Sequence, residues 1–268
     1  MHIKFYAPEW GNTLPFAEFC QNVKAAGYDG VEMALPLDPA EKKSLLGTLQ
    51  QYGLELIGQY WQSVEPDLDA HCRSYETYLR HLIDARPVLV NCQTGKDFFT
   101  PEQNRQLFDL AARLSAETGV KISHETHWGK ALFAAPVCRR FLTEHADIRL
   151  TLDISHWCTV HESLLDDQTE AVELAIARTD HIHSRVGHPE GPQVNDPRAP
   201  EWAATLKAHL AWWDRVVEQH RKAGTQLTIT TEFGPAPYLP TLPYSREPVA
   251  DQWAINVFMM NLLKARYA

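Results

Sequence analysis

Four short apolar segments of this sequence end in side chains that can bind a metal ion or transfer a proton. The residues at these ends are Glu125, Asp153, His183 and Glu232. A single carboxylate or imidazole at such a position is usually a helix cap, an ion-pair partner or a hydrogen-bonded core group. Four at equivalent positions favour a shared site, because the first three recur at close to the roughly 30 residues of one strand-and-helix repeat.

Three carboxylates and one imidazole gathered at one place would be unstable without a counter-charge. Like charges repel, and this repulsion raises the pKa of at least one carboxyl group. A divalent cation removes the conflict, and three oxygen ligands with one nitrogen ligand suit Mn²⁺, Mg²⁺, Co²⁺ or Zn²⁺. We therefore expect one divalent cation as cofactor, with Mn²⁺ as the first choice and open positions left for substrate oxygens.

The elements that must bring these residues together are strands and helices that alternate along the chain. Eight segments have the apolar character of buried strands, at positions 2–8, 30–35, 54–61, 87–92, 120–127, 149–154, 181–186 and 226–232. Each is followed by a segment of helical character, at positions 14–26, 39–52, 67–85, 101–118, 136–145, 166–178, 202–222 and 249–266. Alternation of this kind predicts a parallel sheet, and eight pairs predict one (β/α)₈ TIM barrel domain spanning residues 1–268.

A barrel gathers the C-terminal ends of its strands at one mouth, and the metal site is expected there. His181 and His183 share a strand face, and the later residue lies about 6.6 Å nearer the mouth at roughly 3.3 Å per residue. His183 is therefore the expected ligand, with His181 in a layer below it. A doubly wound sheet is the alternative fold, but no strand is followed by a GxGxxG or GKS/T turn.

Composition limits the partners and the location of the protein. The formal net charge is −9 and no Lys/Arg cluster is visible, which disfavours a nucleic-acid partner. The five cysteines are scattered without a CxxC pair, as expected for reduced thiols. The N-terminus enters a strand directly and no apolar run approaches the roughly 20 residues of a membrane span, so we expect a cytoplasmic protein without signal peptide or membrane partner. Aromatic residues such as Trp212 would permit a homo-oligomer.

The four segment ends also carry a family resemblance. It rests on the motifs Ser-His-Glu125-Thr-His, Leu-Asp153-Ile-Ser-His156, His-Ile-His183-Ser-Arg185 and Thr-Glu232-Phe-Gly. These motifs resemble those of the xylose isomerase-like TIM-barrel superfamily, above all its sugar isomerase/epimerase branch, and the order of strands and helices extends the resemblance over the whole chain. The resemblance implies that the Glu, Asp, His and Glu bind one divalent metal, and that Glu125 and Glu232 also exchange the substrate proton.

The resemblance further implies that His156 and Arg185 contact substrate oxygens. Arg185 follows the histidine ligand by two positions, whereas the arginine of ketose 3-epimerases follows by six, a difference that bears on the substrate more than on the chemistry. Other candidate contacts stand near strand ends, and they are Trp10, Glu32, Gln59, Trp61 and Gln93. The proline-rich segment 187–200 has the length of a lid, and His188 within it would close over the substrate, unless the segment is surface decoration.

These features predict a metal-dependent isomerase or epimerase that acts on a sugar, polyol, ketose or related hydroxy-acid. A metal on the carbonyl and adjacent hydroxyl oxygens would stabilise an enediolate, while one carboxylate removes a proton and another returns it. Three alternatives stand beside this hypothesis. They are a dehydratase of inosose type, a metallohydrolase like the apurinic endonucleases, and a polyol- or metal-binding protein without activity.

Overall fold

The computed structural model describes residues 2–268 and contains eight strands, each of which overlaps the segment predicted for it. The strands are β1 (Ile3–Pro8), β2 (Gly30–Met33), β3 (Glu55–Tyr60), β4 (Leu89–Cys92), β5 (Ile122–Glu125), β6 (Leu150–Leu152), β7 (Thr179–His183) and β8 (Leu227–Thr230). They are three to six residues long. Asp153 and Glu232 lie one and two residues beyond their strands.

The strands form one closed parallel barrel in sequence order. Every strand pairs with its neighbours in the chain, and β1 pairs with β8 to close the ring. The register fixes how near each side chain lies to the mouth: Glu32 on β2 is opposite Ile57 on β3, and His183 on β7 is opposite Thr230 on β8. The predicted (β/α)₈ TIM barrel is confirmed.

Helices surround the barrel, and their ends follow local chemistry. They are α1 (Phe16–Ala26), α2 (Pro39–Tyr52), α3 (Leu68–Asp84), α4 (Pro101–Thr118), α5 (Ala135–Glu144), α6 (Ser155–Val160), α7 (Thr169–Arg178), α8 (Ala203–Ala223) and α9 (Gln252–Tyr267). The side chains of Asp38, Asp67, Thr100 and Asp251 each accept a backbone N–H in the first turn of the helix that follows, and such a cap is worth about 1 kcal/mol. The short helix α6, directly after Asp153, is the element that the sequence pattern does not predict.

The main core lies between the barrel and the helices. Strand residues are buried on both faces, as in the fully buried β6, which explains why the strands read as continuous apolar runs. Trp157 on α6 and Trp213 on α8 are the largest fully buried side chains. Trp212 is half-buried and packs against the same core. The barrel and its helical layer thus form a densely packed support for the residues at the mouth.

Two expectations from composition can be compared with the described residues. All five cysteines are free among residues 2–268, four of them buried, as expected for reduced thiols. In the same range, no helix combines the length and the apolar character needed to cross a membrane.

Candidate metal centre and active-site cavity

Glu125, Asp153, His183 and Glu232 meet at the mouth of the barrel. Each offers one ligand atom, and these atoms all lie within 4.8 Å of one another. The Nδ1 atom of His183 lies 2.8 Å from Glu232 Oε2, 3.8 Å from Glu125 Oε1 and 3.9 Å from Asp153 Oδ2. All four side chains are buried. Residues far apart in sequence are thus gathered as the barrel prediction requires.

The chemistry of this cluster fits a divalent cation. Glu125 Oε1 and His183 Nδ1 are buried without a hydrogen-bond partner among the described residues, and buried polar atoms of this kind call for an explanation such as a bound ion. Burial, together with the carboxylates of Glu232 and Asp153, raises the pKa of Glu125 to about 8. Three acidic oxygens around one imidazole nitrogen are a ligand set suited to Mn²⁺ or Mg²⁺.

Arg185 provides a positive charge at the edge of this cluster. Its guanidinium is 1% exposed and donates hydrogen bonds to Asp153 Oδ2 and, over 3.1 Å, to Ser155 Oγ. The other Asp153 oxygen accepts hydrogen bonds from the backbone N–H and the hydroxyl of Ser155. A carboxylate oxygen has more than one lone pair, so Asp153 retains capacity for a cation, but Arg185 competes for it.

His127 and His156 lie beside the cluster, with their ring centroids 3.9 Å apart. With Glu125 they form a second group of closely spaced ligand atoms. Arg185 makes this group a poor metal site, because its Nη2 lies 2.7 Å from His156 Nε2 and a guanidinium can only donate. Burial lowers the pKa of His127 to about 3 and that of His156 well below its ordinary value. Both rings are therefore neutral groups suited to hydrogen bonding.

A cavity of about 370 Å³ opens above the cluster. Its lining combines aromatic, amide and charged side chains, and it consists of Glu9, Trp10, Gly11, Ala34, Gln59, Trp61, Gln93, His127, Arg185, Glu232 and Tyr238. The volume is at the small end of the range for ligand pockets, roughly 300–1,000 Å³. Gln59 donates a 3.0 Å hydrogen bond to Glu232 Oε1 and so holds that carboxylate at the cavity floor.

The candidate substrate contacts fall into two groups. Trp61, Gln93 and Arg185 line the cavity, and the Trp61 side chain is 51% exposed at its rim. His156 is fully buried behind Arg185 and His127, which both line the cavity. Glu32 is 2% exposed and lies beneath the cluster, where this placement favours a supporting role over direct contact with a substrate.

His188 is also set apart from the cavity. Its ring packs against Trp202, with centroids 4.8 Å apart, and its backbone forms a bridge with Gly191 in the proline-rich segment. The same segment reaches the site by another residue, since Gln193 exchanges hydrogen bonds with the backbone of Gly234. Closure of His188 over a substrate remains a prediction.

Three residues of the site are missed by reasoning from the sequence. Glu9 follows β1 and lines the cavity, Tyr238 reaches it from the loop between β8 and α9, and Asn91 on β4 lies below it. The Tyr238 ring lies 4.9 Å from the guanidinium of Arg185, as a cation–π contact. Asn91 and Glu9 stand at or near strand ends, which is a signal that could have found them, whereas Tyr238 carries none.

Comparison with known proteins places this fold among solved structures. No model of a known family matches the sequence, and no curated protein matches it. The D-allulose 3-epimerase of Methylomonas sp., in complex with D-allulose, matches with a TM-score of 0.63 over 99% of this chain and 97% of that one, at 14% identity. The 3-keto-D-glucoside 4-epimerase of E. coli matches with a TM-score of 0.63 over 98% of this chain and 100% of that one, at 14% identity.

A xylose isomerase-like TIM barrel protein from Mycobacterium smegmatis, in complex with magnesium, matches with a TM-score of 0.65 over 99% of this chain and 98% of that one, at 11% identity. Chains described as a probable 3-DHS dehydratase from Bacillus anthracis and as endonuclease IV from Thermus thermophilus match with TM-scores of 0.60 and 0.58. The chain therefore has the fold of the xylose isomerase-like TIM barrels, as its motifs predict. A fold of this kind supports several activities, so the function has to be argued from the site.

Proposed function

We propose that this protein is a divalent-metal-dependent isomerase or epimerase of a neutral sugar or polyol-like ketose. One observation carries the proposal: two glutamates, Glu125 and Glu232, share a buried ligand cluster with Asp153 and His183, and Glu232 also lines the adjoining cavity. The four side chains would hold one cation. When bound, the cation would stabilise the negative charge that develops on the substrate oxygens as a neighbouring carbon loses its proton.

The two glutamates are placed for different steps of a proton transfer. Glu232 lines the cavity, so its carboxylate is the group that would remove a proton from a carbon next to a carbonyl group. Glu125 keeps an Oε1 atom without a hydrogen-bond partner among the described residues and is the second group that can deliver a proton. Their arrangement around one cluster supports return of the proton to another carbon or to the opposite face.

The cavity walls support a polyhydroxylated substrate. Trp10, Trp61 and Tyr238 provide aromatic faces for the C–H surface of a sugar, while Gln59 and Gln93 provide amides for its hydroxyl groups. Arg185 is the positively charged side chain in the cavity lining, and it forms an ion pair with Asp153. The D-allulose and 3-keto-D-glucoside epimerases that share this fold act on substrates of the same chemical kind.

Deuterium wash-in followed by NMR tests the proposal. The protein, chelated and then reloaded with Mg²⁺, is incubated in D₂O with a panel of ketoses, keto-glycosides and inososes. Metal-dependent exchange at a carbon next to a carbonyl group is the expected result, and Glu232→Gln should reduce it at least about 100-fold. Glu55→Gln is the matched control, because this carboxylate bonds Lys4 and Tyr6 at the N-terminal end of β3, away from the mouth. Equal exchange in the wild type and Glu232→Gln would disprove the role of Glu232.

Dehydration is the second function that the same site supports. A carbanion next to a carbonyl group can expel a hydroxyl group from the β-carbon, and a probable dehydratase shares the fold. The two reactions differ in their products, so mass spectrometry of the same incubations separates them. A product lighter by one water assigns the lyase reaction, and an isomer of unchanged mass assigns the isomerase or epimerase reaction.

A further inference from the structure

A second buried carboxylate, that of Glu32, lies directly beneath the candidate metal centre. Its oxygens are surrounded by four donor residues from three strands: His183 Nε2 at 3.0 and 3.1 Å, Asn91 Nδ2 at 2.9 Å, His181 Nε2 at 3.1 Å and Thr230 Oγ1 at 2.5 Å. Glu32 is 2% exposed and does not line the cavity. Its whole hydrogen-bonding capacity is directed at its neighbours in the barrel.

The contact with His183 determines how that ring meets the cluster above. A carboxylate can only accept, so His183 Nε2 must carry the hydrogen that points to Glu32. The other nitrogen, Nδ1, faces Glu125, Asp153 and Glu232. In the neutral ring this leaves the Nδ1 lone pair directed at the place where the ligand atoms converge.

Asn91 connects Glu32 to a second ligand. Its Nδ2 donates to Glu32 Oε1 over 2.9 Å and to Glu125 Oε2 over 3.1 Å. Glu125 is thereby held by one oxygen, and its other oxygen, Oε1, is left without a partner among residues 2–268. Glu32, Asn91, His181 and Thr230 thus form a layer that orients two ligands of the cluster. The layer holds Nε2 of His183 and Oε2 of Glu125, the atoms that face away from the cluster.

We propose that Glu32 is a positioning residue that fixes His183 in the tautomer with its hydrogen on Nε2 and so presents Nδ1 to a divalent cation. This inference rests on the metal centre proposed above. Partners of this kind raise the basicity of a histidine ligand and hold its ring, and their loss typically weakens metal binding about 10- to 100-fold. Glu32→Gln retains the shape of the side chain but places an amide N–H₂ against the Nε2 atom of either His183 or His181.

The test compares cation affinity and histidine tautomer in the wild type and in Glu32→Gln. Chelated protein is titrated with Mg²⁺ and with Mn²⁺ in competition with a chelator, and we expect about 10- to 100-fold weaker binding in the variant. Histidine-labelled ¹⁵N NMR of the metal-free protein, at a pH high enough for the His183 ring to be neutral, reads the tautomer of His183, which a change in stability alone would not move. The wild type should show a protonated Nε2, and the variant should lose this preference.

A matched pair of variants keeps the test decisive if Glu32→Gln does not fold. Thr230→Val removes a hydroxyl that donates to Glu32 and should weaken cation binding a few-fold. Thr151→Val makes the same change at a buried barrel threonine whose hydroxyl has no partner among the described residues, and it should leave affinity unchanged. If wild-type protein binds no cation, the metal centre itself is wrong. If the wild type binds but Glu32→Gln or Thr230→Val binds equally well, with the same His183 tautomer, the role of Glu32 is wrong.

Discussion

Cation binding at this site should be coupled to the release of protons. In the metal-free cluster, burial raises the pKa of Glu125 to about 8, with Glu232 and Asp153 adding to the effect. Burial opposes a charge on His183, but the surrounding Glu232, Glu32 and Glu125 carboxylates outweigh it and raise the pKa of His183 well above its ordinary value. A cation requires an ionised carboxylate and a neutral imidazole, so near pH 7 it has to displace a proton from each of these residues.

The pKa of Glu125 gives the size of the effect. With a pKa of about 8, the protonated fraction falls from about 99% at pH 6 to about half at pH 8, and the apparent affinity contributed by this residue rises about fifty-fold, or roughly 2.3 kcal/mol. His183 acts in the same direction, because a raised pKa also keeps its proton on the ring until the pH rises. The total increase between pH 6 and pH 8 should therefore be at least fifty-fold.

Isothermal titration with Mg²⁺, in buffers of different ionisation enthalpy, measures both the affinity and the number of protons released. The wild type should release more than one proton per cation at pH 6. Glu125→Gln should bind more weakly, should release about one proton fewer and should lose the part of the pH dependence that Glu125 contributes. An affinity that is constant between pH 6 and pH 8, or the same proton count in Glu125→Gln, would refute this reasoning.

Three further substitutions test the cavity. Arg185→Gln removes the positive charge that competes with a metal ion for Asp153. Divalent cations should then bind on the order of tenfold more tightly in chelator competition, while kcat falls. An unchanged affinity would show that Arg185 does not compete. Trp61→Ala should raise KM roughly five- to thirty-fold, because the substrate loses an aromatic face. Its free energy of unfolding should stay within about 0.5 kcal/mol of the wild type, because Trp61 is 51% exposed. An unchanged KM would contradict this role of Trp61. In Gly234→Ala the new Cβ atom would come within 2.2 Å of the Trp10 ring, which must move in the cavity, so KM should rise with little change in Tm; wild-type kinetics would show that Trp10 is not a substrate contact.

The sequence is sufficient for the barrel and for the meeting of the four candidate ligand residues. Alternating strand and helix patterns determine the fold, and a closed parallel barrel then brings the strand ends together whatever their separation in the chain. The choice between His181 and His183 also follows from strand geometry, since His183 lies among the carboxylates and His181 lies one layer lower beside Glu32. These features depend only on periodicity, which a single sequence contains.

The depth of Glu32 below the mouth of the barrel could not be predicted, because this depth depends on the register between neighbouring strands. Glu32 stands near the end of β2 and so resembles a residue of the mouth. In the barrel it is opposite Ile57, whereas the cavity residue of β3 is Gln59, two positions further along that strand. Two residues correspond to about 6.6 Å, which places Glu32 a full layer below the cavity floor. No local pattern around Glu32 encodes this offset.

Tyr238 illustrates a second limit. It enters the cavity from the long loop between β8 and α9, where the chain has no periodicity, and its position beside Arg185 follows from contacts with distant residues such as Trp10 and Trp128. The position of Arg185, two residues after His183, likewise acquires its meaning only from contacts made in the folded barrel. Two positions after His183 on the same side of the chain, its guanidinium reaches back to Asp153 and Ser155, a neighbourhood that only the folded barrel provides.

The central claim is that Glu125, Asp153, His183 and Glu232 hold a single divalent cation at the floor of the cavity. Anomalous diffraction from crystals of Mn²⁺-loaded protein tests it most directly, because the anomalous signal distinguishes Mn²⁺ from the light atoms of protein and solvent. One strong peak is expected at this site, with the metal bound to three carboxylate oxygens and to Nδ1 of His183. A peak elsewhere, or no peak at a Mn²⁺ concentration that saturates binding in solution, would contradict it.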